Sequence, residues 1–284
     1  MSYVNLKAVL ADAQKKRYAI GAFNIVDYTT TSAVIKAAER KSSPVIIQTS
    51  VKTVKYYGYK PIANWVRNLA EASPIPVVLH LDHCKDLEVI EKCINAGWSS
   101  VMIDASSFPL DENIRMTRET IDMARPHNVT VEGELGAIVG VEDDIFVKER
   151  DSHLADADNC LRYVSATGID LLAPAIGTAH GIYYSEPVID FDLIREIAVK
   201  TGMPLAIHGG TGLSDDVFRR CIECGGTKVN ISTNLKHIFR DSFEQYYKNN
   251  PDDYEPVKSI KYLEDAVIKS VEAFIETFGS SGRV

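Results

Sequence analysis

Eight apolar runs alternate along this chain with segments of helical periodicity. The runs are rich in β-branched and other apolar residues, which is typical of parallel strands buried on both faces. Between them, apolar residues recur at spacings of three and four, which predicts amphipathic helices over 86–97, 110–127 and 190–202. The same pattern predicts strands at 18–24, 44–50, 76–83, 100–106, 129–136, 170–177, 204–210 and 227–233.

Eight alternating strand and helix units without a break in composition predict an α/β fold, a (β/α)8 TIM barrel forming a single domain over residues 1–284. A doubly wound parallel sheet is the structural alternative. The segment from 136 to about 156 is longer than a barrel loop needs, which predicts a mobile active-site loop. The periodicity over 258–279 predicts an extra C-terminal helix, and the final GSSGRV is expected to fray.

Composition and charge narrow the class of protein. With 45% hydrophobic and 25% charged residues, the chain has the composition of an ordinary globular protein. Its net charge of −8 provides no bulk attraction to nucleic acid or to an anionic membrane surface. No apolar run approaches the length of a membrane span. We therefore expect a small-molecule partner, with no nucleic acid and no membrane.

The five cysteines indicate a reducing compartment. An odd number in a long chain favours free thiols and a cytoplasmic location. Cys221 and Cys224 form a CxxC, but they lie in a predicted helix between Ser214 as N-cap and Gly225, and no second CxxC completes a zinc ribbon. We interpret this pair as structural.

Polar residues gather where the predicted strands end, which is where barrel enzymes place their chemistry. His83, His180 and His208 each lie at or just past such an end. Three neutral imidazoles can hold Zn²⁺ and leave a fourth position open for substrate, so a metal-dependent enzyme is predicted. His80 lies within its strand and is expected to be packed or hydrogen-bonded inside the barrel.

Asp82 directly precedes His83, and adjacent strand residues point to opposite sides. It is therefore not required to bind the same metal. It could act as general acid or base on a substrate oxygen, or it could cap the helix that follows. A second signal is the glycine-rich HGGTG at 208–212 with NIST at 230–233, where backbone N–H groups and hydroxyls could bind phosphate.

These residues, in this order, resemble the class II (zinc-dependent) ketose-bisphosphate aldolases, of fructose- or tagatose-bisphosphate type. The resemblance covers nearly the whole chain and rests on AFN at 22–24, LDH at 81–83, EGELG at 132–136, VEDD at 141–144, GTAHG at 177–181, HGGTG at 208–212 and KVNIST at 228–233.

The resemblance implies a lyase that reversibly cleaves a ketose (bis)phosphate into dihydroxyacetone phosphate and an aldehyde through a zinc-stabilised enediolate. It implies Asp82 as acid/base at the C4 hydroxyl and Glu142, on the mobile loop, as the group that exchanges the enediolate proton. His83, His180 and His208 would bind the one catalytic Zn²⁺ per subunit, with Glu134 in an alternative metal position. Substrate binding is expected from Asn24, Ser50, Gly181, Gly209, Thr211, Asn230, Ser232 and Thr233.

The resemblance also implies a monovalent cation, Na⁺ or K⁺, near the phosphate, and a homodimer or higher homo-oligomer. Three positions depart from the family pattern. Thr211 replaces a serine, and Ser232 replaces an acidic residue or asparagine, so both positions carry a hydroxyl in this chain. After Tyr254 many members carry Asp-Pro-Arg, whose arginine reaches the distal phosphate of the ketose from a neighbouring subunit. Here Val257 replaces that arginine, so the aldehyde half need not carry a phosphate.

Alternatives from other function classes remain at this point. Within aldolases, the substrate could be a ketose 1-phosphate that yields a non-phosphorylated aldehyde. A barrel metallohydrolase is a second possibility, although such sites commonly use a paired HxH on the first strand, and this strand ends in AFN. The third is a non-catalytic zinc-binding assembly subunit, which the presence of Asp82 and Glu142 disfavours.

Overall fold

The protein, described from a computed structural model, has eleven strands in its described residues, 2–142, 145–147, 153–181 and 188–284; the side chains of 139–142, 145–147 and 180 are not described. The strands are β1 Ile20–Asn24, β2 Val45–Thr49, β3 Val77–Cys84, β4 Ser100–Ile103, β5 Thr130–Leu135, β6 Val139–Glu142, β7 Ile145–Val147, β8 Leu171–Pro174, β9 Ala179–His180, β10 Leu205–Ile207 and β11 Gly226–Ile231.

Eight of these strands close a parallel barrel, in the order β1-β2-β3-β4-β5-β8-β10-β11, and each corresponds to one predicted apolar run. The pairing of Ile20 with Lys228 and of Phe23 with Ile231 joins the last strand to the first. The TIM-barrel prediction is therefore confirmed, and the doubly wound alternative is wrong. The remaining strands form a small separate sheet, in which β6 pairs antiparallel with β7 and parallel with β9.

Helices follow the strands around the outside of the barrel. They are α1 Lys7–Lys16, α2 Tyr28–Arg40, α3 Val51–Tyr57, α4 Tyr59–Glu71, α5 Leu87–Asn95, α6 Leu110–Ala124, α7 Ala157–Thr167, α8 Phe191–Thr201, α9 Asp215–Cys224, α10 Thr233–Asn249 and α11 Pro256–Thr277, with a 3₁₀ turn at Arg125–His127. Side-chain caps explain several starts: Asp86 accepts from Glu88 N, and Ser214 accepts from Val217 N.

The predicted extra C-terminal helix is present as α11. It packs against α2 and α10, burying Leu263, Val267 and Val271 on its inner face. Ion pairs flank this contact, including Lys36 with Glu264 and Lys41 with Glu276 at 2.9 Å. Because α2 follows β1, the helix ties the end of the chain to the beginning of the barrel.

The expectation that the final GSSGRV would fray is wrong. Ser280 is buried, Gly282 N donates to Lys41 O at 2.8 Å, and Arg283 N donates to Ser42 O at 2.9 Å. The Arg283 guanidinium also lies 5.0 Å from the centre of the Tyr18 ring. These partners are far away in sequence, so local composition gave no sign of them.

The barrel interior is divided into an apolar end and a polar end. At the N-terminal end of the strands, Leu6 and Leu10 from the α1 region pack with inward-facing residues in one buried cluster, which includes Ile20, Ile46, Val78, Leu171 and Ala206. At the C-terminal end, the buried side chains inside the barrel are polar, among them His80, Asp82, Glu132, His208 and Lys228. The polar end is where the predicted site residues lie.

All five cysteines are free and buried. Cys221 and Cys224 lie on the buried side of α9, as the structural interpretation of the CxxC predicts. None of the helices in the described part of the chain combines the length and apolarity needed to cross a membrane.

Candidate active site

Asp82 lies at the centre of the polar end, held by amide groups from three strands. Its Oδ2 accepts from Asn24 Nδ2 at 2.9 Å and from Gln48 Nε2 at 3.1 Å, and its Oδ1 accepts from Asn230 Nδ2 at 3.2 Å. Asp86, not Asp82, caps the following helix. Asp82 is therefore not the helix cap considered from the sequence, and its carboxylate is oriented from inside the barrel.

His83 reaches the same region because the backbone leaves regular strand geometry. Its φ is +40°, and the pairing of β3 with β4 shifts register between Leu81 and Cys84. A non-glycine residue with positive φ is uncommon, and a bulge re-aims side chains. The sequence argument that consecutive residues point to opposite sides fails here, since Asp82 and His83 both serve the site.

His83, His208 and Glu134 form a buried group that could hold a metal ion. Each residue offers one ligand atom, and these atoms lie within 4.8 Å of one another. His83 Nε2 lies 2.8 Å from His208 Nδ1, and Glu134 Oε2 lies 3.7 Å from the Nδ1 atom of each histidine. Among the side chains that the structure describes, this is the one such group.

Each histidine of this group is backed by a carboxylate on its other ring nitrogen. Asp104 Oδ2 lies 3.3 Å from His83 Nδ1, and Glu132 Oε1 lies 2.7 Å from His208 Nε2. A carboxylate behind a histidine fixes its ring and favours the tautomer whose lone pair faces a metal. In the tautomers that donate these two N–H groups to the carboxylates, His83 Nε2 and His208 Nδ1 face each other and each carries a lone pair.

The pKa directions in the group agree with this arrangement. Burial, and then the neighbouring charge of Asp104, raises the pKa of Glu134 well above its usual range. Burial lowers the pKa of His208 to about 4, against the opposing effect of Glu132. For Glu132, burial acts to raise the pKa, but Lys228 and His208 outweigh it and the pKa lies below its usual range.

The donor set therefore fits a divalent cation. Two imidazole nitrogens and one carboxylate are typical ligands of Zn²⁺. Glu134 Oε2 is buried without a hydrogen-bond partner in the described structure. Burial and the charge of Asp104 disfavour the charged form of this carboxyl, as its raised pKa shows, and a cation between these three residues would stabilise the carboxylate.

A second group of predicted residues surrounds the ends of β9, β10 and β11. Gly209 has a φ of +68°, and a Cβ there would lie 2.5 Å from Ala179 O, so this close approach requires glycine. Ser232 Oγ and Thr178 Oγ1 are buried and have no hydrogen-bond partner in the part of the chain that the structure describes. Ser232 is the N-cap of α10 but makes no side-chain cap, so its hydroxyl is available to an anion at that helix start.

The other predicted substrate-binding residues follow barrel strands or begin helices. Gly181 follows β9 with a φ of +89°, Thr211 Oγ1 accepts from Asn234 N at 3.4 Å, and Thr233 is the first residue of α10. Ser50 caps α3 at the end of β2. The side chains of Glu142 and His180, at the ends of β6 and β9, lie outside the described residues.

The residue that stands where the family pattern after Tyr254 has arginine is exposed. Val257, in the first turn of α11, is 67% exposed. Its neighbour Lys258 is paired with Asp253 at 2.9 Å, and that carboxylate also accepts from Tyr246 OH at 2.8 Å. Lys258 is thus held at the start of its own helix.

Sequence reasoning placed Gln48 and Asp104 at polar strand ends but assigned no role to them, nor to Glu132, Thr178 and Lys228. Lys228 gave the clearest signal, since a lysine within the apolar run TKVNIST is unusual. His80 is buried as expected, with Nδ1 2.7 Å from Ser100 Oγ and Nε2 3.3 Å from Glu132 Oε2. Ser100, His80, Glu132, Lys228 and His208 therefore form a connected buried network behind the site.

Comparison with known proteins finds relatives that match this chain over nearly its whole length. Residues 4–283 match the family described as fructose-bisphosphate aldolase class-II. The chain is 41% identical to the 6-phospho-5-dehydro-2-deoxy-D-gluconate aldolase of Bacillus subtilis (strain 168), covering 100% of this chain and 98% of the relative. It is 40% identical to the fructose-bisphosphate aldolase of Geobacillus stearothermophilus, covering 100% and 99%.

A solved structure, the YdjI aldolase from Escherichia coli K12, superposes with a TM-score of 0.87 at 32% identity, covering 99% of both chains. The two curated relatives name different substrates at nearly the same identity, so overall similarity does not choose between them. Both names describe an aldolase, which is a lyase. The metallohydrolase and the non-catalytic subunit are therefore no longer alternatives. The chain belongs to the class II fructose-bisphosphate aldolase family.

Proposed function

We propose that this protein is a zinc-dependent aldolase that reversibly cleaves a ketose (bis)phosphate, of tagatose- or fructose-1,6-bisphosphate type, into dihydroxyacetone phosphate and an aldehyde. The observation that carries the proposal is the convergence of His83, His208 and Glu134 beside Asp82 at one end of the barrel. His180 would complete the histidine set. A bound Zn²⁺ would supply a Lewis acid for the negative charge that develops on the substrate carbonyl oxygen.

Asp82 is assigned the proton at the C4 hydroxyl. In cleavage it would take this proton as the C3–C4 bond breaks, and in the reverse direction it would return it. Its three amide donors, Asn24, Gln48 and Asn230, hold the carboxylate in one orientation. Burial excludes water from this carboxylate, which favours transfer to the substrate. Glu142 is proposed to exchange the proton at the adjacent carbon.

The phosphate of the triose half is assigned to the ends of β9, β10 and β11. Gly181 and Gly209 expose backbone N–H groups, and the α10 N-terminus favours negative charge. The unpartnered Ser232 Oγ supports this assignment, together with Thr211 and Thr233. Backbone donors of this kind would let an acidic protein bind an anion, and a monovalent cation is proposed beside the phosphate.

A second candidate is a ketose 1-phosphate whose aldehyde product carries no phosphate. Two observations favour it: Val257 is apolar, and Lys258 is paired with Asp253. Both reduce the positive charge available to a distal phosphate. The name of the Bacillus subtilis relative gives a further substrate to test, 6-phospho-5-dehydro-2-deoxy-D-gluconate.

The test is a substrate screen with the zinc-loaded protein. Fructose 1,6-bisphosphate, tagatose 1,6-bisphosphate, 6-phospho-5-dehydro-2-deoxy-D-gluconate and ketose 1-phosphates are incubated separately, and dihydroxyacetone phosphate is measured by coupled reduction. We expect triose phosphate from at least one substrate, loss of activity with EDTA and recovery with Zn²⁺. No triose phosphate from any of them would overturn the proposal.

We further propose that the chain folds as a single domain. We also propose that the protein is a cytoplasmic homodimer or higher homo-oligomer. The free state of all five cysteines supports a reducing compartment. Sedimentation equilibrium would test the oligomer, and one protomer per particle would contradict it.

A further inference from the structure

A buried lysine connects the two halves of this site. Lys228 lies on β11 and is 0% exposed. Its Nζ lies 2.7 Å from Asn230 Oδ1 and 2.9 Å from Glu132 Oε2. A fully buried ammonium is rare unless it is paired, and both partners of this one contact a residue of the site.

The first partner leads to Asp82. An ammonium can only donate, so the oxygen of the Asn230 amide must face Lys228. The amide nitrogen then faces Asp82, and Asn230 Nδ2 lies 3.2 Å from Asp82 Oδ1. Without the ammonium, this amide would lose one of the two contacts that orient it, and only Asp82 would oppose a turned amide with its oxygen against the carboxylate.

The second partner leads to the metal-binding histidines. Lys228 Nζ forms an ion pair with Glu132 Oε2, although this oxygen has no well-oriented hydrogen bond among the described residues, and Glu132 Oε1 lies 2.7 Å from His208 Nε2. The ammonium also compensates the charge of the Glu132 carboxylate, which is fully buried. The position of the Glu132 carboxylate thus sets the orientation of the His208 ring, whose Nδ1 faces His83.

We propose that Lys228 is a positioning residue that orients Asn230 and Glu132 together, and so couples the placement of the proposed acid/base Asp82 to the affinity of the metal group. The Asp82 arm rests on the proposed function, whereas the His208 arm concerns metal affinity alone. A lysine that only filled space in the barrel would affect stability without affecting both arms.

The test uses Lys228→Met, which keeps most of the length of the side chain and removes its donors. We expect Zn²⁺ affinity, measured by competition with a chelator, to fall about 10-fold or more, the range for losing a partner behind a metal ligand. In the zinc-saturated protein, we expect kcat for ketose phosphate cleavage to fall more than KM rises. Unchanged Zn²⁺ affinity and kcat, both within about twofold of the parent, would overturn the inference.

Two single-arm variants provide matched controls. Asn230→Ala interrupts the path to Asp82 and should lower kcat while leaving Zn²⁺ affinity near that of the parent. Glu132→Ala interrupts the path to His208 and should weaken Zn²⁺ binding. If Lys228→Met lowered only one of the two readouts, the coupling would be contradicted.

If Lys228→Met fails to fold, the double variant Lys228→Met/Glu132→Gln takes its place. It removes the Glu132 charge that the single substitution leaves uncompensated. The introduced amide keeps a carbonyl acceptor for His208, so Zn²⁺ affinity should return to near the parent value while kcat stays low. A parent-like kcat in this variant would overturn the inference. If the parent cleaved no ketose phosphate, the zinc measurements would still test the His208 arm, which separates this inference from the proposed function.

Discussion

The two ends of the barrel interior are built from the same strands but have opposite chemistry. At the N-terminal end, Ile20, Ile46 and Val78 pack with Leu6 and Leu10 in an apolar cluster. Such burial contributes roughly 1.5–3 kcal/mol for each large aliphatic side chain. At the C-terminal end, the interior is filled by ionisable and amide side chains whose desolvation opposes folding.

This difference shows that the residues that stabilise the fold and the residues proposed for catalysis lie at opposite ends of the same barrel. The apolar end and the outer layer of helices supply favourable burial. The polar end can then hold Asp82, Glu132 and Lys228 without water, provided that they satisfy one another. Substitutions at the two ends should therefore have different consequences, which can be measured.

The largest expected effect is on catalysis at the polar end. Asp82→Asn removes the proposed proton acceptor but preserves its shape, so kcat should fall on the order of 1,000-fold, about 4 kcal/mol in the barrier. Tm and zinc content should stay close to those of the parent. A Tm loss of more than about 8 °C would show that the polar end also carries stability and would break the comparison.

The next effect is on stability at the apolar end. Ile46 is fully buried, so Ile46→Ala should lower the free energy of unfolding by about 2–5 kcal/mol. Urea denaturation measures this loss, and kcat below the transition should stay within about twofold. The conservative Ile46→Val should cost about 0.5–1.5 kcal/mol. Strong loss of kcat in folded Ile46→Ala would contradict the separation.

A smaller effect is expected where the polar end meets substrate. Ser232→Ala removes a buried hydroxyl that has no hydrogen-bond partner among the described residues. KM for the ketose phosphate should rise about 10-fold, since a hydrogen bond to a charged group contributes about 1.5–3 kcal/mol. The free energy of unfolding should not fall. Unchanged KM would remove Ser232 from the phosphate site.

The smallest effect is expected at Val257, in the exposed first turn of α11 and outside the barrel interior. Val257→Arg introduces a guanidinium, and kcat/KM for bisphosphates relative to ketose 1-phosphates should rise about 10-fold, or about 1.4 kcal/mol. Val257→Leu is the matched control and should leave this ratio unchanged. A strong preference of the parent for bisphosphates would show that another group binds the distal phosphate.

The sequence predicted the strands well because buried parallel strands leave continuous apolar runs. All eight barrel strands and helix α11 lie within, or overlap, the predicted ranges. The candidate residues at strand ends were identifiable because the barrel topology brings those ends together. His83 and His208 are indeed in one buried group with Glu134.

What the sequence could not give depends on partners across the barrel. Asp104, Glu132 and Lys228 act behind the predicted residues, and each depends on a contact from a different strand. The ordered C-terminal tail depends in the same way on Lys41 and Ser42. Periodicity reports which face is buried, but it does not report which buried polar groups meet.

The left-handed backbone at His83 has a consequence for protein design. Idealised barrels are drawn with regular strands and no positive φ outside glycine. A designer who copied the residues of this metal group onto such a scaffold would turn His83 away from His208. The transplanted unit would have to include the irregularity at the end of β3, with the loss of regular pairing to β4 that it entails.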